Sequence, residues 1–163
     1  MGGVAPTIAG VQPGDVPAVV PSAADGSFAI GLKHGRYTLY LPPSGAYRSL
    51  NAVRVDAVGV DLVEDVDLVV GRPLQASGSV HLGSPDGPPS AGTQVVFALP
   101  VQGADPPTAQ VVATTRTDQS GAFTQTLTPG AYLVRLGLQG QPMSDPIEVD
   151  VGNDGRISDL VLN

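Results

Sequence analysis

The sequence gathers hard oxygen donors at two places, Asp61, Glu64 and Asp65, and Asp150, Asn153 and Asp154 beside Gly155. Carboxylates and amide carbonyls spaced this closely can hold a calcium ion, but neither group follows D-x-[DN]-x-[DN]-G with its distal Glu. Asn153-Asp154-Gly155 is also a favoured hairpin turn in its own right. Zinc needs three or four His, Cys or carboxylate ligands at recognisable spacing. The chain has no cysteine and two distant histidines, His34 and His81, so no metal site and no cofactor is expected. His34 is expected to cap a turn and His81 to occupy an exposed strand position. Nucleophilic catalysis requires an activated Ser, Cys or Thr, and there is neither a G-x-S-x-G motif nor a base evident beside a serine. No catalytic residue is expected, and the chain is not expected to be an enzyme. Tyr40 and Tyr47 flank Pro42-Pro43-Ser44-Gly45, where a flat ring near a loop can stack on a sugar. They are the candidate ligand contacts, and they support the alternative of a carbohydrate- or ligand-binding accessory domain of a secreted protein.

What recurs in the sequence is architectural. Gly26, Phe28, Gly35 and Tyr37 fit G-x-F-x6-G-x-Y, and Gly121, Phe123, Gly130 and Tyr132 repeat it with every position shifted by 95. A repeat of that length is a domain-sized unit, which predicts two modules, residues 1–71 and 72–163. Glycine opens tight turns, and Phe or Tyr fills a core otherwise made of aliphatic side chains. Hydrophobic residues make up 42% of the chain but aromatic ones only 4%, so that core must be mostly Val, Leu and Ala. The 21 glycines and 16 prolines, spread among alternating apolar segments, exclude long helices and mark frequent turns.

The second copy predicts seven short strands near residues 76–82, 94–99, 110–117, 122–127, 131–136, 147–151 and 157–162, the arrangement of a two-sheet sandwich. The first copy overlays it with small changes of offset. Gly2 falls opposite Gly92, Val11-Gln12 with Asp15 opposite Val101-Gln102 with Asp105, and Asp67-Leu68-Val69-Val70 opposite Asp159-Leu160-Val161-Leu162. The segment from about Gly71 to Ala91, which holds the first strand of the second module, has no counterpart. The first module thus lacks its first strand, leaving an open sheet edge and an apolar groove. Three resolutions follow: the chain is cut from a longer protein, residues Met1–Ala9 supply another solution, or a neighbouring subunit donates a strand.

The Asp/Gly turn, G-x-F, the Pro/His-Gly turn and G-x-Y resemble the carboxypeptidase regulatory-like modules of transthyretin-like (prealbumin-like) fold. The pattern is also similar to the B-type repeats of Gram-positive surface adhesins. The resemblance implies an all-β chain of two tandem Ig-like/transthyretin-like β-sandwich modules, acting as non-catalytic stalks, spacers or binding modules. Adhesin repeats often carry a Lys–Asn isopeptide bond, but the second copy has no lysine and Lys33 lies far from the first strand, so that chemistry is not expected here. The formal net charge of −7 without a Lys/Arg cluster argues against a nucleic-acid partner. No apolar run is long enough to span a bilayer, and no signal peptide opens the sequence. The resulting expectation is a structural or interaction module of a cell-surface protein, extracellular fibre or virion. Its expected partners are neighbouring copies, in a homo-oligomer or filament, or domains of a parent protein.

Overall fold

The computed structural model describes residues 7–9, 20–41, 47–57, 65–104 and 107–163, and of residues 7–9 the backbone alone. The described chain is all-β. Its strands are β1 (Thr7–Ala9), β2 (Gly35–Tyr40), β3 (Arg48–Ser49), β4 (Ala52–Ala57), β5 (Val70–Gly71), β6 (Leu74–Leu82), β7 (Gln94–Gln102), β8 (Ala109–Arg116), β9 (Ala122–Leu127), β10 (Gly130–Gly137), β11 (Ile147–Val151) and β12 (Leu160–Leu162). Two compact units form, Met1–Gly71 with Pro100–Gln110, and Arg72–Leu99 with Val111–Asn163.

The second unit carries the seven strands expected from its sequence. One sheet runs β8-β7-β10-β11, and the other places β6 between β12 and β9. Val95, Phe97 and Leu99 alternate inward from β7, as Tyr132, Val134 and Leu136 do from β10. They meet Ala76, Val80, Phe123, Leu127 and Leu160 of the other sheet, all nearly inaccessible. The Phe97 ring lies 6.0 Å from Phe123 across the sandwich and 6.1 Å from Tyr132 within its own sheet, the latter edge-on at 89°. Three rings thus anchor a core that is otherwise aliphatic, and the two facing sheets make the unit a β-sandwich.

In the first unit β2 lies between β1 and β4, while β3 and β5 pair separately. Val101 and Gln102, in the part of the chain grouped with this unit, pair in parallel with Ala52 and Val53. Leu39 and Val55 are the buried centre of an apolar cluster, against which Phe28, Ile30, Leu32, Tyr37, Val66 and Leu68 pack while only partly buried.

The registers identify which strands correspond. Gly35, Arg36 and Tyr37 pair with Ala57, Asp56 and Val55, as Gly130, Ala131 and Tyr132 pair with Val151, Asp150 and Val149. On the opposite edge Thr7, Ile8 and Ala9 pair with Tyr40, Leu39 and Thr38, as Val96, Phe97 and Ala98 pair with Arg135, Val134 and Leu133. The trio β1-β2-β4 therefore repeats β7-β10-β11. This pairing places Ile8 at the register position of Phe97, one residue away from the sequence alignment, which puts Thr7 there. Backbone pairing fixes register where short turn motifs only approximate it. Gly2, Val11, Gln12 and Asp15 lie outside the described residues.

Candidate functional site

The repeated residues occupy matching turns. Ala23 N–H donates to Ser27 O at 2.7 Å and Gly26 N–H to Ala23 O at 3.0 Å; Asp118 N–H donates to Ala122 O at 2.8 Å and Gly121 N–H to Asp118 O at 3.1 Å. Gly26 and Gly121 close these turns with φ of 89° and 75°, left-handed values that a side chain disfavours. The acidic cap differs between the turns. Ser27 donates from N–H and Oγ to Asp25, whereas Asp118 accepts from Ser120 N–H, Ser120 Oγ and Ala122 N–H. These bonds, led by the serine hydroxyl, hold both carboxyls below their ordinary pKa. Each repeated tyrosine donates to the carbonyl four residues back, Tyr37 to Lys33 at 3.0 Å and Tyr132 to Thr128 at 2.9 Å. Gly130 has φ of 143°, while Gly35 is not among the positive-φ glycines and carries the Tyr37 ring 3.5 Å from its Cβ position.

The two units part where a central strand is concerned. In the second, β6 pairs antiparallel with β9 and parallel with β12, setting Gly78 opposite Phe123, Ala76 opposite Gln125 and Val80 beside Leu160. In the first, residues 27–32 correspond to β9 and residues 65–70 to β12 and its approach, and no described strand stands between them. The burial follows. Phe123, Leu127 and Leu160 are 3%, 1% and 4% exposed, whereas their counterparts Phe28, Leu32 and Leu68 are only half-buried and Val70 is exposed.

The residues on either side of this position carry backbone groups without described partners. Val80 N–H bonds Gly121 O at 2.9 Å, so the narrow pairs of that ladder involve Phe123, Gln125 and Leu127. Their counterparts Phe28, Ile30 and Leu32 make no backbone hydrogen bond to any described residue. On the other side Asn51 acts as a surrogate peptide group, accepting from Val69 N–H at 2.8 Å and donating to Asp67 O at 3.0 Å, while Leu50 N–H donates to Val69 O at 2.8 Å. That occupies the edge of residues 67 and 69. Peptide groups alternate along an extended chain, so those of Leu68 and Val70 point to the other edge. The sequence repeat marks Phe28, and the self-alignment marks Leu68, but neither marks Ile30 or Asn51. The alternation Phe28-Ala29-Ile30-Gly31-Leu32 was the signal available for the first.

The candidates for chemistry lie elsewhere. Among the described residues, no three His, Asp or Glu side chains gather to hold a cation. Asp154 caps the Arg156 N–H at 3.1 Å, and Asp150 sits in β11 opposite Ala131. Asp61 and Glu64 lie outside the described residues, as does the loop 42–46 between Tyr40 and Tyr47, both of which are half-buried. His34 is exposed. His81 corrects two expectations, being half-buried and next to a serine: its Nδ1 is 2.8 Å from Gly87 O and its Nε2 is 3.3 Å from Ser79 Oγ. A spacing of two along one strand face produces this pair. Ser79 Oγ–H donates to the Asp159 carboxylate, so its one proton is directed to an acid rather than to the imidazole. Together these bonds tie β6 to β12 and to the 84–90 loop.

No family model matches the chain, and no curated protein matches it. Among solved structures, a streptococcal ancillary pilin is similar over 99% of this chain and 57% of that chain, with 15% identity and a TM-score of 0.44. The chain thus spans less than two thirds of the pilin, and a likeness at that TM-score carries nothing about function. Among the described residues no helix is long and apolar enough to cross a membrane.

Proposed function

We propose that the chain is a non-catalytic structural and interaction module of a cell-surface protein, extracellular fibre or virion, and that it assembles through its first unit by accepting a β-strand from another polypeptide. The observation that carries this reading is that, among the described residues, no strand stands between residues 28–32 and 68–70. There, apolar side chains and outward backbone groups stand in the pattern that β6 satisfies in the second unit. Fully burying a large apolar side chain contributes about 1.5–3 kcal/mol. Covering the half-buried Phe28, Ile30, Leu32 and Leu68 is therefore worth roughly 3–6 kcal/mol before the backbone ladder is added. Acidity, the repeated turns and the resemblance to carboxypeptidase regulatory-like modules and B-type adhesin repeats support a structural role at the surface. The test is light scattering coupled to size-exclusion chromatography, with negative-stain microscopy, across a concentration series. Concentration-dependent oligomers or fibres, abolished by Ile30→Lys, are expected. A monomer at every concentration, with residues 28–32 as protected from exchange as β9, would contradict the reading.

A further inference from the structure

The second unit also specifies which strand the first unit can take. Resting on the strand-acceptor reading above, we infer that the partner is an extended polypeptide segment with the inward pattern Ala-x-Gly-x-Val and a hydroxyl residue directly after the glycine. It runs antiparallel to residues 28–32 and parallel to 68–70.

Two features of β6 set this pattern. The first is steric. A Cβ placed on Gly78 would lie 2.9 Å from Phe123 Cζ and 3.2 Å from Ile157 Cβ, too close for any side chain without moving the ring. Gly78 pairs with Phe123 while Ala76 and Val80, two residues to either side, are fully buried. Phe28 is the counterpart of Phe123, so a strand crossing it needs glycine at that point and small or β-branched apolar residues two positions away. The second feature is polar. Ser79, immediately after Gly78, donates its hydroxyl to Asp159. The counterpart of Asp159 is Asp67, which is exposed and whose carboxylate takes no hydrogen bond from a described residue. An incoming Ser or Thr at that position meets a waiting acceptor. Ala76-Ser77-Gly78-Ser79-Val80 is thus the template for the donor.

The experiment uses the full chain and a fluorescein-labelled synthetic peptide with the sequence of Leu74–Leu82. Titration by fluorescence anisotropy is expected to show saturable binding at one peptide per chain, with a rise in the melting temperature of the chain. The peptide carrying Gly78→Val should bind at least about tenfold more weakly, and the peptide carrying Ser79→Val several-fold more weakly. In the chain, Ile30→Lys and Asp67→Lys should each reduce binding of the unmodified peptide, which locates it in the first unit rather than in place of β6. Circular dichroism on both chain variants verifies that they remain folded. Equal affinity for the Gly78→Val peptide would overturn the inference while leaving strand acceptance standing. Failure to bind by a chain that nevertheless assembles, with the Ile30→Lys variant losing assembly, would also overturn it alone. Failure to bind by a chain that stays monomeric with residues 28–32 protected would remove both.

Discussion

Equivalent residues of the two units do equivalent local work at very different levels of burial, and that difference sets their energies. Tyr132 O–H bonds the Thr128 carbonyl in a site where Thr128 is also wholly buried, and the Thr128 N–H and Oγ1 lie 3.2 and 2.8 Å from the same oxygen. Tyr132→Phe strands those groups and should destabilise the second unit by about 1–3 kcal/mol. Tyr37→Phe, where the bond is exposed, should cost less than about 1 kcal/mol. The glycines contrast in the same way. Gly121 has φ of 75°, and its Cβ would lie 2.8 Å from both Pro89 Cβ and Val80 O, whereas Gly26 has open space around it. Gly121→Ala should therefore cost about 3 kcal/mol or more, and Gly26→Ala about 1 kcal/mol, by urea denaturation followed by circular dichroism. Asp118 adds a pH dependence. Its carboxyl is held below the ordinary value, chiefly by the Ser120 hydroxyl, so its contribution is whole at neutral pH and is lost as the pH falls through its folded pKa. Asp118→Asn should lower stability at pH 7, and the difference from the parent chain should shrink in urea titrations as the pH falls below the ordinary carboxylate range.

At the scale of the strands, the absence of a described counterpart to β6 explains why the same motif packs tightly once and loosely once. Phe123 is buried opposite Gly78 of β6 and against Phe97, so Phe123→Ala should cost about 3–5 kcal/mol. Phe28→Ala, losing a half-buried ring, should cost about 1–2 kcal/mol by the same measurement. Much of this was legible in the sequence, because strands β6 to β12 announce themselves by β-branched alternation and Gly/Pro/Asn turns. The place of β6 shows in the sequence as a gap in an otherwise continuous self-alignment, and among the described residues of the first unit no strand stands there. Three things were not legible. The one-residue register of β1 depends on backbone pairing that turn motifs do not encode. Asn51 standing in for a peptide group is a tertiary contact spanning 16 to 18 residues. The Ser79–His81–Asp159 chain needs β12 to return beside β6 in parallel, a connection that local pattern cannot supply.

Across the molecule, the repeat yields one unit that closes its own sandwich and one whose described residues leave a strand position open. A row of unpaired peptide groups beside apolar side chains is a site at which another chain can add a strand. Strand acceptance therefore depends on the state of a few backbone amides, and amide hydrogen exchange on the dilute, monomeric chain reads them directly. The amides of Phe28, Ile30 and Leu32 are expected to exchange at least about a hundredfold faster than those of Phe123, Gln125 and Leu127, a difference of roughly 3 kcal/mol in opening free energy. They should become protected when the chain assembles or binds the strand peptide. Equal protection of the two sets in a monomer would mean that the position is already filled, and would rule out strand acceptance by the first unit.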